Sequence, residues 1–243
     1  MFPNFSKLPK LALAILLPIW VFVSFIAAQL IIEAVVWILV KLGAPLSSVN
    51  QTVLSAIIAA VLYIITLIIV IGGPLLTQKK ATSLKEVGLT NLPTWTDIFM
   101  APAGFVIYFI LSSGLIYVVT QIVPGFDATQ TQDTGFGHVS QNYELMLAFI
   151  TLVVIAPVAE EVLFRGYLYG KLKKYVPVWA AILITSALFG LIHGTWNVAV
   201  DTFALSIILC LLRESTGGIW ASILLHMIKN GIAFYFLFIV GLR

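Results

Sequence analysis

The sequence predicts an all-α protein, a polytopic transmembrane helical bundle of about seven helices. Two observations lead to this fold class. Of the 243 residues, 61% are hydrophobic and only 9% are charged, whereas soluble domains carry about a quarter charged residues. The apolar residues also fall into seven runs separated by polar loops, which is the pattern of a chain that crosses a bilayer repeatedly.

The seven runs predict the helices in chain order. Their expected bounds are 11–40, about 53–76, about 96–123, 143 to about 174, 178–193, 197–212 and 219–240. The first run is far longer than the apolar segment of about 7–15 residues in a cleaved signal peptide, so we expect it to be a membrane helix. Cys210, the one cysteine, lies in an apolar run and is expected to be a small core residue.

The distribution of lysine and arginine predicts the orientation. If the N-terminus lies in the cytoplasm, the outer segments hold only Lys41 and Arg243. The cytoplasmic segments then hold Lys7, Lys10, Lys79, Lys80, Lys85, Lys171, Lys173, Lys174 and Arg213. This bias follows the positive-inside rule. Because the basic residues are spread over loops without forming a patch, the expected partner is the lipid bilayer and not a nucleic acid.

Ionisable side chains inside predicted membrane helices are costly and mark candidate functional sites. They are Glu33, Glu160, Glu161, Arg165, His193, Asp201, His226 and Lys229, with Asn230 as a neutral companion. Glu161 and Arg165 are four residues apart, so they share a helix face and should form a structural ion pair. Glu160 points about 100° away from Glu161, and we expect it to be the working carboxylate.

Two further ionisable residues in the predicted membrane helices are Asp201 and Lys229. Asp201 is expected near the outer interface of the membrane. Lys229 is expected to pair with Glu33 or with a catalytic carboxylate, or to extend its amine to the membrane surface.

Two further pairs have the same four-residue spacing. Phe189 and His193 occur in "FGLIH", and His226 and Asn230 occur in "HMIKN". Glu160 precedes the turn between the fourth and fifth helices by about as many residues as His193 follows it. In an antiparallel hairpin both would lie at one level, about 25 Å from that turn. His226 lies at a compatible depth, so these polar groups can converge.

The converging groups suit hydrolysis of a peptide bond. A carboxylate beside an imidazole can deprotonate a water molecule, and a second imidazole with a carboxamide can donate to a developing oxyanion. The same Glu160, His193 and His226 could instead hold a catalytic zinc ion. No serine or cysteine pairs convincingly with a histidine, which disfavours a covalent nucleophile.

The motifs "EEVLFRG", "FGLIH" and "HMIKN", in this order on late membrane helices, resemble the CPBP family, which comprises the CAAX proteases and bacteriocin-processing enzymes and is also called the Abi family. They match the family patterns E-E-x-x-x-R, F-x-x-x-H and H-x-x-x-N. The resemblance covers roughly residues 143–235, and "EVGLTN" at 86–91 is similar to the family's amphipathic lead-in. It implies a catalytic transmembrane core at 143–243, integrated in one domain with N-terminal transmembrane helices and loops at 1–142.

The resemblance implies an intramembrane endopeptidase that acts on a membrane-embedded or lipidated protein or peptide. Glu160 and His193 would activate water, and His226 and Asn230 would stabilise the oxyanion. The family has been described both as metalloproteases and as metal-independent glutamate proteases. We favour no cofactor, with Zn²⁺ as the alternative, because Asn230 suits an oxyanion donor better than a zinc ligand. The supporting residues would be Glu161, Arg165 and Phe189.

Two other function classes stay open. An ion-coupled transporter would also bury Glu, His and Arg, but transporters usually show repeats and broken helices in both halves. Here the early helices carry only Gln29 and Glu33 as interior polar candidates. A non-catalytic immunity or scaffold protein should tolerate loss of motif residues, and none is lost. The compact chain favours a bacterial cell-membrane protein.

Overall fold

The computed structural model describes residues 9–74, 82–130, 134–137 and 139–241, and the regular structure in these ranges is helical. Apart from a 3₁₀ turn at Leu46–Ser48, the elements are α1 (Lys10–Lys41), α2 (Gln51–Gly72), α3 (Leu84–Val87), α4 (Trp95–Ile122), α5 (Asn142–Leu172), α6 (Val178–Leu191), α7 (Trp196–Thr216) and α8 (Trp220–Val240). The all-α bundle is confirmed. All the elements except the short α3 correspond to the seven predicted runs.

Five of the described helices, α1, α2, α4, α5 and α8, are long and apolar enough to cross a membrane. The shorter α6 has 14 residues, which is about 21 Å at 1.5 Å per residue and less than the roughly 30 Å hydrocarbon core. The 21-residue α7 packs against α4, α6 and α8. The chain is therefore an integral multi-pass membrane protein.

The interior of the bundle contains residues from both halves of the chain. One buried apolar cluster includes Val21 of α1, Tyr108 of α4, Leu168 of α5 and Leu205 of α7. Cys210 is fully buried in the same cluster, as expected for a core residue. Because lipid tails are as apolar as these side chains, close van der Waals packing and interhelical hydrogen bonds hold such a bundle together.

The long helix α5 contains two π-helical stretches, Ile150–Ile155 and Val162–Tyr169. In a π-helix the N–H of residue i+5 bonds to the carbonyl of residue i. Pro157 has no N–H, so it cannot donate to the carbonyl of Leu152, five residues earlier. Asn230 of α8 donates to that carbonyl instead, with Nδ2 2.9 Å from the oxygen. The first π-helical stretch therefore ties α5 to α8.

The polar ends of α3, α5 and α7 meet at one end of the bundle. Lys173 lies 2.7 Å from the Glu214 carboxylate, and Lys174 lies 3.6 Å from that of Glu86. Most of the described basic residues predicted to be cytoplasmic lie in these elements or directly after α5. The residues Lys7, Lys79, Lys80 and Arg243, which also entered the orientation argument, lie outside the described residues. The cytoplasmic N-terminus stays a prediction.

Candidate active site

A cavity of about 380 Å³ opens among α1, α2, α5, α7, α8 and two loops. Apolar side chains form most of its wall, including Phe25 of α1 and Phe234 of α8. The polar groups on the wall include the four residues that the sequence placed in one site, Glu160, His193, His226 and Asn230. The structure therefore brings these four side chains together around a single space.

Glu161 and Arg165 form the ion pair that their spacing predicts, with Arg165 Nη1 2.8 Å from Glu161 Oε1 and both side chains fully buried. The guanidinium carbon also lies 4.4 Å from the centre of the Phe189 ring, a cation–π contact. Burial of two charges is costly unless their geometry and further contacts compensate for the lost water. This pair therefore fixes the middle of α5 against α6.

His226 lies between the two adjacent glutamates. Its Nδ1 is 2.9 Å from Glu161 Oε1, and its Nε2 is 3.8 Å from Glu160 Oε2. Because an ionised carboxylate can only accept, Nδ1 of this buried ring carries a hydrogen and donates to Glu161. The spacing of the motif predicted only Arg165 as a partner of Glu161, and the structure adds His226.

His193 lies just beyond α6, which ends at Leu191, and not inside the helix as predicted. Gly194 follows with φ of +79°, a left-handed conformation that glycine adopts readily and that helps to end a helix. His193 Nδ1 donates to the Phe189 carbonyl oxygen at 2.7 Å. A carbonyl cannot donate, so in the neutral ring Nε2 is the acceptor.

Phe189 packs at the centre of the site and is fully buried. Its ring centre lies 4.9 Å from that of His193 and 5.9 Å from that of His226. The next residue, Gly190, lets α6 approach α7, because a Cβ there would lie 2.7 Å from the Ala199 carbonyl oxygen. Phe189 therefore positions both imidazoles by packing, and its backbone orients one of them.

Glu160 is held from a helix outside the three motifs. The Tyr63 hydroxyl of α2 donates to Glu160 Oε1 at 2.5 Å, and the Glu160 side chain is 13% exposed. Tyr63 was not predicted from the sequence, because a single tyrosine in an apolar run has no spacing signal. A helical wheel of α2 alone could not have shown which neighbour it meets.

A second polar cluster, formed by Asp201, Lys229, Tyr108 and Ser112, lies between α4, α7 and α8. Lys229 Nζ is 3.5 Å from Asp201 Oδ2, and the Tyr108 and Ser112 hydroxyls donate to Asp201 Oδ1, each at 2.6 Å. Lys229 therefore pairs with none of its expected partners. Glu33 lies exposed on α1, and Asp201 is an interhelical acceptor.

The residues weighed as zinc ligands do not form a ligand set. Within the described ranges, no three His, Cys, Asp or Glu side chains are grouped so that they could hold a metal ion. Glu160, His193 and His226 line the same cavity, but a catalytic zinc ion needs three protein atoms at about 2.0–2.2 Å from one point. The arrangement does not fit a zinc centre.

A model of a known protein family matches the part of the chain that contains the four site residues. Residues 142–232 match the family model described as Rce1-like, the type II CAAX prenyl endopeptidases. This segment contains all three motifs and nearly coincides with the 143–235 inferred from the sequence. The predicted family resemblance is therefore confirmed over this segment.

Three bacterial relatives illustrate the likeness. YdiL of Bacillus subtilis, named as a candidate membrane peptidase, is 28% identical over 55% of this chain and 54% of its own length. UPF0177 protein YbdI of Lactococcus lactis is 33% identical over 39% of this chain and 52% of its own length. The membrane-embedded CAAX protease MroQ of Staphylococcus aureus is 26% identical over 55% of each chain.

The matches are partial. The chain spans about half the length of these curated relatives. No solved structure matches it significantly.

Proposed function

Because residues 142–232 carry the Rce1-like pattern, we propose that this chain is an intramembrane endopeptidase. It hydrolyses a peptide bond in a membrane-embedded or lipidated protein or peptide. The observation that carries the proposal is the convergence of one carboxylate, two imidazoles and one carboxamide on a cavity inside the bundle. In this proposal the membrane is that of a bacterial cell, with the N-terminus in the cytoplasm.

Glu160 and His193 activate the attacking water. Since His193 Nδ1 donates to the Phe189 carbonyl oxygen, the His193 Nε2 lone pair is the acceptor for a water hydrogen. The 3.8 Å between Glu160 Oε2 and His226 Nε2 exceeds a direct hydrogen bond, so a water oxygen to one side of the line between them can contact both atoms. Glu160 takes the water proton as the oxygen attacks the carbonyl carbon, and the proton then passes to the leaving amine nitrogen.

His226 and Asn230 stabilise the oxyanion. His226 Nδ1 donates to Glu161, so donation through Nε2 requires an imidazolium ring with both hydrogens. Its positive charge and that of Arg165 then balance the charges of Glu160 and Glu161. Asn230 uses one hydrogen of Nδ2 on the Leu152 carbonyl, and its second hydrogen serves as the other oxyanion donor.

The proposed reaction uses no metal ion. Two features support this: the candidate ligands do not form a three-residue ligand set, and a carboxamide suits oxyanion donation better than zinc coordination. We expect purified protein to keep its rate after treatment with 1,10-phenanthroline or EDTA. Loss of activity that added Zn²⁺ restores would overturn this part of the proposal.

The test of the function compares peptides from membranes of cells that express wild type, Glu160→Ala or Glu33→Ala at equal protein levels. Glu33 is the matched control, since it is a glutamate in a membrane helix that lies exposed on α1. Mass spectrometry should find cleavage products with wild type and Glu33→Ala that vanish with Glu160→Ala. Identical peptide sets in all three samples would contradict a protease and favour a transporter or a scaffold.

A further inference from the structure

We propose that Tyr63 is a positioning residue for the reaction, because its hydroxyl holds Glu160 so that one chosen carboxylate oxygen faces the attacking water. The inference rests on the proposed protease function. It assigns a role in the chemistry to α2, which lies outside the family segment 142–232.

The contacts of Glu160 divide its two oxygens between different tasks. Oε1 accepts from the Tyr63 hydroxyl at 2.5 Å. Oε2 lies 3.8 Å from His226 Nε2, on the side of the oxyanion donor. A hydrogen bond to Oε1 therefore selects Oε2 as the base. Tyr63 itself lines the cavity beside Glu160 and His226, so the constraint acts within the site.

The neighbouring glutamate shows why Glu160 needs this support. Glu161 is held by Arg165 from its own helix and by His226 from α8. Glu160 instead accepts a hydrogen bond from α2, through the Tyr63 hydroxyl. A glutamate side chain has three rotatable bonds, and fixing them in advance removes an entropic cost from the reaction.

Loss of the Tyr63 hydroxyl has a defined chemical consequence. Released from α2, the Glu160 carboxylate can close the 3.8 Å gap to His226 Nε2 and form a direct ion pair. The base and one oxyanion donor then occupy each other, and the space for the water oxygen is lost. Substrate contacts elsewhere in the cavity are unchanged, so the turnover step suffers and substrate binding does not.

A purely structural role is the competing explanation, because interhelical hydrogen bonds also hold membrane helices together. Tyr108 provides a matched control. Its hydroxyl donates to Asp201 Oδ1 at 2.6 Å, which is likewise a bond from a tyrosine to a carboxylate between two helices. Tyr63→Phe and Tyr108→Phe therefore remove the same kind of bond, but only Tyr63 holds a proposed reacting group.

The experiment uses the full chain purified in detergent micelles, and a synthetic peptide that spans the bond found by the mass-spectrometric comparison. Steady-state kinetics and thermal unfolding are measured for wild type, Tyr63→Phe, Tyr108→Phe and Glu160→Gln. We expect Tyr63→Phe to lower kcat about 10- to 100-fold, the loss that follows from removing a hydrogen bond to a charged group. Its KM should stay within about twofold and its Tm should match that of Tyr108→Phe, which keeps the wild-type kcat.

The outcomes separate the two proposals. If neither wild type nor Glu160→Gln cleaves, the protease function fails and the role of Tyr63 fails with it. If both cleave equally, the protease function stands, but Glu160 is not the base and the role of Tyr63 fails. If Glu160→Gln is inactive but Tyr63→Phe keeps its kcat, only the role of Tyr63 is overturned. The same holds if kcat falls equally in Tyr63→Phe and Tyr108→Phe, or falls only in proportion to lost folded protein.

Discussion

Two carboxylates inside the bundle accept a hydrogen bond from a tyrosine hydroxyl, yet their surroundings differ. At Asp201 both oxygens have protein partners. Oδ1 accepts from Tyr108 and Ser112, and Oδ2 lies 3.5 Å from Lys229. Because its oxygens are already occupied by protein groups, this carboxylate holds helices together and has little capacity to bind a substrate.

The Glu160 side chain instead lines a cavity, and its two oxygens have different neighbours. Oε1 accepts from Tyr63, while Oε2 lies 3.8 Å from an imidazole nitrogen of His226. His193 and Asn230 share the same wall. Burial alone therefore does not mark a reacting carboxylate in a membrane protein. A carboxylate that lines a cavity beside imidazole nitrogens is a better candidate.

The largest effect on stability should come from Glu161→Gln, because Glu161 pairs with a buried charge and is not a reacting group in the proposed mechanism. This change leaves Arg165 fully buried without its counter-charge, so we expect a loss of about 3–5 kcal/mol in the free energy of unfolding. Glu214→Gln is the control, since that glutamate pairs with Lys173 at 2.7 Å but is 40% exposed, and should cost less than about 1 kcal/mol. Equal losses in unfolding assays in mixed micelles would contradict a structural role for the buried pair.

The comparison also predicts that a carboxamide matters for rate only where it faces the cavity. Asn230→Ala should lower kcat about 10²–10³-fold, the usual cost of one lost oxyanion donor. Asn197→Ala is the matched control, because Asn197 also donates to a backbone carbonyl, that of Gln130 at 2.6 Å. Kinetics with equal kcat losses in both variants would show that Asn230 acts by tying α5 to α8.

Both the candidate active site and the Asp201 cluster depend on the close crossing of α6 and α7, which Gly190 permits. Gly190→Ala pushes a Cβ against the Ala199 carbonyl oxygen and should reduce the free energy of unfolding by about 1–3 kcal/mol. Gly114→Ala on α4 is the control, since a Cβ there meets nothing within 4 Å, and it should be neutral or slightly stabilising. A neutral Gly190→Ala in thermal unfolding would mean that the crossing is looser than described.

The smallest effect should come from the hydroxyl of Ser112. Ser112→Ala leaves Asp201 with Tyr108 and Lys229 as partners, so we expect a loss of about 0.5–1.5 kcal/mol in the free energy of unfolding. The kcat should equal that of wild type. A marked fall in kcat at unchanged stability would mean that the Asp201 cluster takes part in the reaction.

Much of the bundle and the meeting of the four site residues could be predicted from the sequence. Long apolar runs determine the helices, and counting residues from the turn before α6 placed Glu160 and His193 at one level. Spacing of four residues also predicted the pair of Glu161 and Arg165, which the structure contains. These predictions depend only on periodicity along single helices and on one hairpin.

Contacts between distant helices could not be predicted in this way. Tyr63 reaches Glu160 across 97 positions in the chain, and no motif links them. Asp201 was expected near the membrane interface because it lies one turn past the start of its helix. Its bonds with Tyr108 and Ser112 were missed, because these partners lie on a helix that the motifs do not include. The π-helical stretches of α5 were also missed, since they shift the register of a helix without changing its apolar pattern.

In the proposed mechanism Glu160, and not the carboxylate of Asp201, activates the water. The most direct test compares the rate of peptide cleavage by purified wild type, Glu160→Gln and Asp201→Asn in the same micelles. We predict that Glu160→Gln loses about 10²–10⁴-fold in kcat, the range for general-base catalysis. Asp201→Asn should stay within about threefold of wild type after correction for folded protein. A Glu160→Gln variant that cleaves at the wild-type rate would contradict this assignment.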